Sequence, residues 1–163
     1  MQRGAQITYQ QSLGAIGRYL DQHSYEDLVL CELSDGFVVR AVRGGALPEA
    51  IPFPQADMAN LVRLAAEEAA RTKGLAPIVP RPDGSFLRRV LGSYRDFLTA
   101  FGTQLDQLEA HTIMVVELPD SVLVAYQKIH TTYESWEATA FEYLYNEQGL
   151  RKLMLASASA LRR

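Results

Sequence analysis

The chain has 163 residues, 48% of them hydrophobic and 21% charged, with a formal net charge of −3. That length suits one domain, and the composition excludes disordered, collagen-like and coiled-coil chains. Residues 1–85 carry 8 Lys and Arg against 10 Asp and Glu, and residues 86–163 carry 8 against 9, so neither half is a charged tail and the electrostatic footprint of a nucleic-acid binder is missing.

A single cysteine, Cys31, leaves no intramolecular disulfide to form. No segment reaches signal-peptide length or the run of about 18 apolar residues that spans a membrane. A cytoplasmic protein without membrane contact is expected.

In chain order, a first helix is predicted from Tyr9, with an apolar seam of Tyr9, Leu13, Ile16, Leu20 and His23. Residues 28–33 and 37–42 flank Ser34-Asp35-Gly36, and Asp-Gly between two apolar runs predicts a hairpin. Residues 44–55 hold Pro48, Pro52 and Pro54, which argue against a central strand and allow a short extended edge segment near Ile51. Residues 56–73 read as a helix stopped by Gly74, and the proline-rich stretch that follows reads as a linker.

Past the linker, Leu87, Leu91, Tyr94, Leu98, Phe101, Leu105 and Leu108 step by four and three, the spacing of one helix packed along another. Arg88, Arg95, Asp96, Thr103, Gln104 and Asp106 fall on its polar face. A second hairpin is predicted over 111–118 and 122–129, around Pro119-Asp120-Ser121. Thr131-x-x-Glu134 has capping-box spacing, so a helix is expected to about Leu161, with a bend or break near Gly149.

These elements repeat. An offset of 85 residues sets Tyr9–Val42 on Tyr94–Gln127 without a gap, with 11 of 34 positions identical. The identities include Tyr9/Tyr94, Gly17/Gly102, Asp21/Asp106, Glu32/Glu117 and Asp35/Asp120. The expected fold is one α+β domain over residues 1–163, an internally duplicated α-β-β-α unit. The first repeat covers about 8–74, the linker 75–84 and the second repeat about 85–163. Two hairpins would form a four-stranded, mostly antiparallel sheet with helices packed on it in pseudo-twofold symmetry. Because Ile113-Met114-Val115-Val116 is apolar at successive positions, helices or another subunit must shield both sheet faces. The element order resembles that of small bacterial secretion-chaperone-like α+β domains, in topology alone.

Candidate chemistry is sparse. Glu32 with Asp35 and Glu117 with Asp120 form the one repeated polar signature, Glu-Leu-x-Asp. Paired carboxylates near a twofold axis could share a proton or hold a cation, whereas Asp at a turn and Glu at a strand end are ordinary structural placements. His23, His111 and His130 lack ligand spacing to one another or to Cys31, and Cys31 sits in an apolar strand as a small hydrophobe does. No catalytic residue, cofactor site or metal site is assigned, since no nucleophile elbow, phosphate loop or dinucleotide fingerprint is present. Tyr126, Tyr133, Trp136, Phe141, Tyr143 and Tyr145 crowd one region, and on a helix they cannot all face one way. Tyr133, Trp136, Phe141 and Tyr145 are therefore interface candidates. The function expected is a noncatalytic protein-interaction or regulatory module acting as a homodimer, with a possible protein partner. The alternative is a small enzyme or small-ligand-binding protein with a pocket between the repeats.

Overall fold

The computed structural model describes residues 6–73, 79–131 and 136–161. The elements are α1 (Tyr9–Gln22), β1 (Tyr25–Leu33), β2 (Gly36–Arg43), β3 (Glu49–Pro54), α2 (Gln55–Arg71), α3 (Phe86–Val90), α4 (Tyr94–Leu108), β4 (His111–Glu117), β5 (Val122–Thr131), β6 (Trp136–Tyr145) and α5 (Glu147–Leu161). The class is α+β. The strands form one six-stranded sheet in the order β3-β2-β1-β4-β5-β6, antiparallel at every pairing.

The four-stranded sheet is thereby corrected, and each half contributes three strands. The first added strand is β3, the short edge segment allowed near Ile51 but not counted in the four-stranded sheet, which pairs with β2 through Ile51↔Val39 and Phe53↔Phe37. Its prolines are tolerated because an edge strand has a neighbour on one side only. The second is β6, which occupies part of the helix expected over 131–161 and pairs with β5 from Thr131↔Trp136 to Val122↔Tyr145. Phe141, Tyr143 and Tyr145 are two apart, the period of a strand, and on β6 they share one face. The capping box at Thr131 and Glu134 falls partly outside the described residues. The bend or break expected near Gly149 falls at Asn146, between β6 and α5, and Gly149 itself lies in the first turn of α5, where its N–H donates to Asn146 Oδ1 at 2.8 Å.

The helix expected from Leu87 to Leu108 is two helices. Gly92, at φ 81°, turns the chain after α3, and Ser93 caps α4 by accepting from Asp96 N. Arg88 and Thr103, placed on a polar face by spacing, are both buried.

Alternate strand residues, among them Leu28, Leu30, Val39, Phe37, Ile113, Val115, Val122 and Val124, form one core with Leu13, Ile16, Leu20, Phe97, Leu98, Phe101 and Leu105 of α1 and α4. In the helix layer α1 packs between α2 and α4, and α4 packs between α1 and α5. Gly17 and Gly102 let α1 and α4 touch backbone to backbone. A Cβ on Gly102 would lie 2.6 Å from Tyr9 O, and one on Gly17 would lie 2.7 Å from Arg95 Cα.

The 85-residue offset recurs in the backbone. Positive φ occurs at Ser24 and Glu109, and again at Asp27 and Thr112. Both central strands slip register at the second of these positions, between Glu26 and Val29 and between His111 and Met114. Both α1 and α4 start from a hydroxyl cap, Thr8 and Ser93.

Candidate functional site

The repeated polar residues serve the fold reciprocally. Asp106, near the end of α4, accepts from Tyr9 N at 2.9 Å and Gln10 N at 3.1 Å, at the start of α1. Asp21, near the end of α1, accepts from Tyr94 N at 2.9 Å and Arg95 N at 3.1 Å, at the start of α4. Each carboxylate meets the orphan donors and the positive dipole end of the opposite helix. Sequence reasoning passed over both, although their identity across the offset was a visible signal.

Glu32 and Glu117 follow the same pattern. Glu32 Oε1 accepts from Tyr9 Oη at 2.7 Å and from Ile113 N at 3.1 Å. Glu117 Oε1 accepts from Tyr94 Oη and from Leu28 N at 3.0 Å, while Oε2 accepts from Leu87 N at 2.7 Å. The β1–β4 register puts them on opposite sides of the Leu30–Val115 pair. At about 3.4 Å per residue they stand about 14 Å apart along the strands. The structure therefore does not bring them into one paired site. Asp35 lies at the first hairpin turn, its carbonyl accepting from Gln55 N, and the Asp120 carboxylate is exposed, 3.4 Å from Arg89. Among the described residues no group of three or more His, Cys, Asp or Glu is arranged to hold a metal ion.

Burial first, then the neighbouring carboxylate, pushes the phenols of Tyr9 and Tyr94 well above the usual tyrosine range. Both hydroxyls remain donors to Glu32 and Glu117.

His23 ends α1 beside Tyr19. His111 faces Gln127 across the ladder, and His130 pairs with Glu137, so those two histidines are not cross-strand neighbours. Of the aromatic candidates, Tyr145 is buried, donates to Gln104 Oε1 at 3.1 Å and meets Phe97 edge-on. Phe141 stacks on Tyr126 with centroids 5.5 Å apart. Trp136 opens β6, and Tyr133 lies outside the described residues.

Two features remain. One is a cavity of about 610 Å³ bordered by Tyr9, Ser12, Glu32, Met58, Asp106 and Ala110, drawn from both halves. The other is the sheet face turned away from the helices. Register places Val29, Val116, Leu123 and Leu144 in one row across it, and Val38, Cys31, Met114 and Ala125 in the next. Leu144 is 53% exposed and Leu33, at the end of β1, 52%. No described element packs on this face. Arg40 and Glu142 supply charge toward its two sides.

Comparison with protein-family models, curated proteins and solved structures finds no match. The fold and these two features define a two-layer α+β protein with one face of its sheet open. No described helix is long and apolar enough to cross a membrane.

Proposed function

We propose that the protein is a noncatalytic interaction or regulatory module that works as a homodimer, two copies meeting through their open sheet faces. The observation that carries this reading is the apolar face itself. Each apolar row spans four strands, and the whole face, six strands about 4.8 Å apart and about six residues long, measures roughly 24 by 20 Å, so two copies facing over all of it would bury about 1,000 Å², the lower bound for a specific interface. Apolar patches of that size on a protein surface are often functional.

A second copy is the occupant the pattern favours. The 85-residue offset sets Val29 on Met114, Cys31 on Val116, Leu33 on Leu118 and Val38 on Leu123, so the surface has nearly the same chemistry on both sides of its centre. A twofold dimer needs such a self-complementary patch, and sheets pack face to face about 10 Å apart. The shared caps, bulges and glycines support descent of the two halves from one α-β-β-β-α unit. A single cysteine accords with the cytoplasm.

Sedimentation equilibrium tests the reading. The expected mass is twice the 18.2 kDa of the chain, and Val116→Lys, on the open face, should give a folded monomer by circular dichroism. A wild-type chain that stays monomeric at every attainable concentration would overturn it. The ligand-binding reading draws on the cavity between Tyr9, Glu32 and Asp106.

A further inference from the structure

We infer that the hollow between α4, α5 and the strands β5 and β6 is a binding site for a small aromatic carboxylate. This inference stands apart from the homodimer, because the hollow lies on the helix side of the sheet, away from the open face. It comes from comparing equivalent places in the two halves.

The hollow holds about 370 Å³, the size of a small-molecule pocket. Its equivalent in the first half, between α1 and α2, holds about 280 Å³. Ala15 and Gln22 line the first-half place, and Ala100 and Gln107, their identical counterparts across the offset, line the second. An offset of 89 sets Leu64 and Glu68 of α2 on Leu153 and Ser157 of α5, which again line the two places.

Against that shared frame the differences point one way. In the first half an ion pair spans the two helices, with Arg18 Nε 3.4 Å from Glu68 Oε2, and Arg18 also donates to Thr72 Oγ1 at 3.2 Å. In the second half the same two positions are Thr103 and Ser157, both buried, so two short hydroxyl side chains stand where two long charged ones did. The sheet side changes too. Tyr126 stands where Ala41 does, and the pairings Val39↔Ile51, Phe37↔Phe53, Val124↔Tyr143 and Val122↔Tyr145 set Tyr143 and Tyr145 where Ile51 and Phe53 stand. Three phenols replace three apolar side chains around the emptied place.

This lining suits a planar ring with one negative group. The Tyr143 and Tyr145 rings lie 4.6 Å apart, and Tyr143 is 53% exposed, so aromatic surface faces the hollow opposite the small residues Ala100, Gly149 and Ala156. Tyr145 Oη donates to Gln104 Oε1 at 3.1 Å, which turns the Gln104 NH2 into the end that can donate to a ligand. Among the described lining residues Lys152 alone is charged. A carboxylate at Lys152 and the Gln104 amide, with its ring on the tyrosines, meets each of these groups with its complement.

The probe is cinnamate, titrated calorimetrically into the full-length protein beside cinnamamide, its uncharged counterpart. Saturable binding at one site per chain is expected, about fivefold tighter for the acid, the effect of an ion pair open to water on one side. Lys152→Ala should erase that preference and leave the amide's affinity unchanged. Thr103→Arg with Ser157→Glu rebuilds the first half's ion pair inside the hollow and should abolish binding of both compounds while circular dichroism reports a folded chain. Ala156→Trp, at an exposed position of the lining, blocks the hollow by a second route and should act alike. No saturable binding, equal affinity for acid and amide, or unchanged binding to a folded blocked variant overturns the inference. Sedimentation of these variants should match the parent, so none of these results bears on the sheet-face dimer.

Discussion

Replacing Gly102 by alanine tests the close approach of α1 and α4. The new Cβ would sit 2.6 Å from Tyr9 O, 2.7 Å from Tyr9 C and 2.8 Å from Gln10 Cα, where ordinary contact starts at 3.4 Å. These are backbone atoms, so α1 must retreat by most of an ångström rather than turn a side chain aside. Overpacking of this kind costs about 1–3 kcal/mol. Helix propensity returns about 1 kcal/mol for glycine to alanine, but the retreat also stretches the Asp106 bonds to Tyr9 N and Gln10 N, now 2.9 and 3.1 Å. We expect a net loss of about 2 kcal/mol, or about 4–8 °C in melting temperature for a chain this long. Urea denaturation of Gly102→Ala beside Gly149→Ala measures it. Gly149 has its nearest neighbour at 3.4 Å, so alanine there should be neutral or stabilise by up to about 1 kcal/mol. A Gly102→Ala protein as stable as the parent would refute the backbone contact as the reason for that glycine.

Glu117→Gln should cost about 2–4 kcal/mol in urea denaturation, since the buried carboxylate accepts from Leu28 N, Leu87 N and Tyr94 Oη. Glu32→Gln should cost less, because Glu32 is half-buried and has two such donors. Arg88→Ala leaves Asp21 buried without its cation and should cost about 3–5 kcal/mol by the same assay, with a double-mutant cycle to Asp21→Asn showing strong coupling. Alkali should destabilise the fold. Burial, then Tyr143 and Tyr126, pushes the Tyr145 phenol up to about 12, and Tyr9 and Tyr94 are raised further from the ordinary 10.0. The folded chain therefore keeps protons that the unfolded chain releases. The stabilisation is whole below pH 10 and is lost as pH climbs through the raised values. Tyrosinate absorbance should show these phenols ionising only as circular dichroism reports unfolding.

The helices α1 and α4 and both hairpins were legible because period and turn chemistry agreed there. The strand β6 was not. One of its faces carries Glu137, Thr139, Phe141, Tyr143 and Tyr145, and the other Ala138, Ala140, Glu142 and Leu144, so neither is cleanly polar or apolar. It is an edge strand with one neighbour, and pairing with β5 decides its state over the helix propensity of its alanines and glutamates. Arg88 was misplaced because a charge at helical spacing ordinarily faces solvent, and its partner Asp21 is 67 residues away in the chain. For the same reason Glu32 and Glu117 suggested one paired site. The offset showed that they were equivalent, and the β1–β4 register separates them along the central strands.

Near-symmetry turns the differences between the halves into information. Gly17 and Gly102, Asp21 and Asp106, and Glu32 and Glu117 each make the same contact with the opposite half, and Tyr9 and Tyr94 each donate to the glutamate of their own half, which accounts for them as structure. What the frame does not account for is where the halves part. Glu117 and Asp21 also hold α3, five residues carrying a buried arginine, and the residues that the offset sets on α3 lie outside the described ones. The open sheet face poses the same question at larger scale. Central strands with apolar residues at successive positions leave an apolar face toward water that a cover would stabilise. Under the homodimer proposed above, a second copy of the chain supplies that cover.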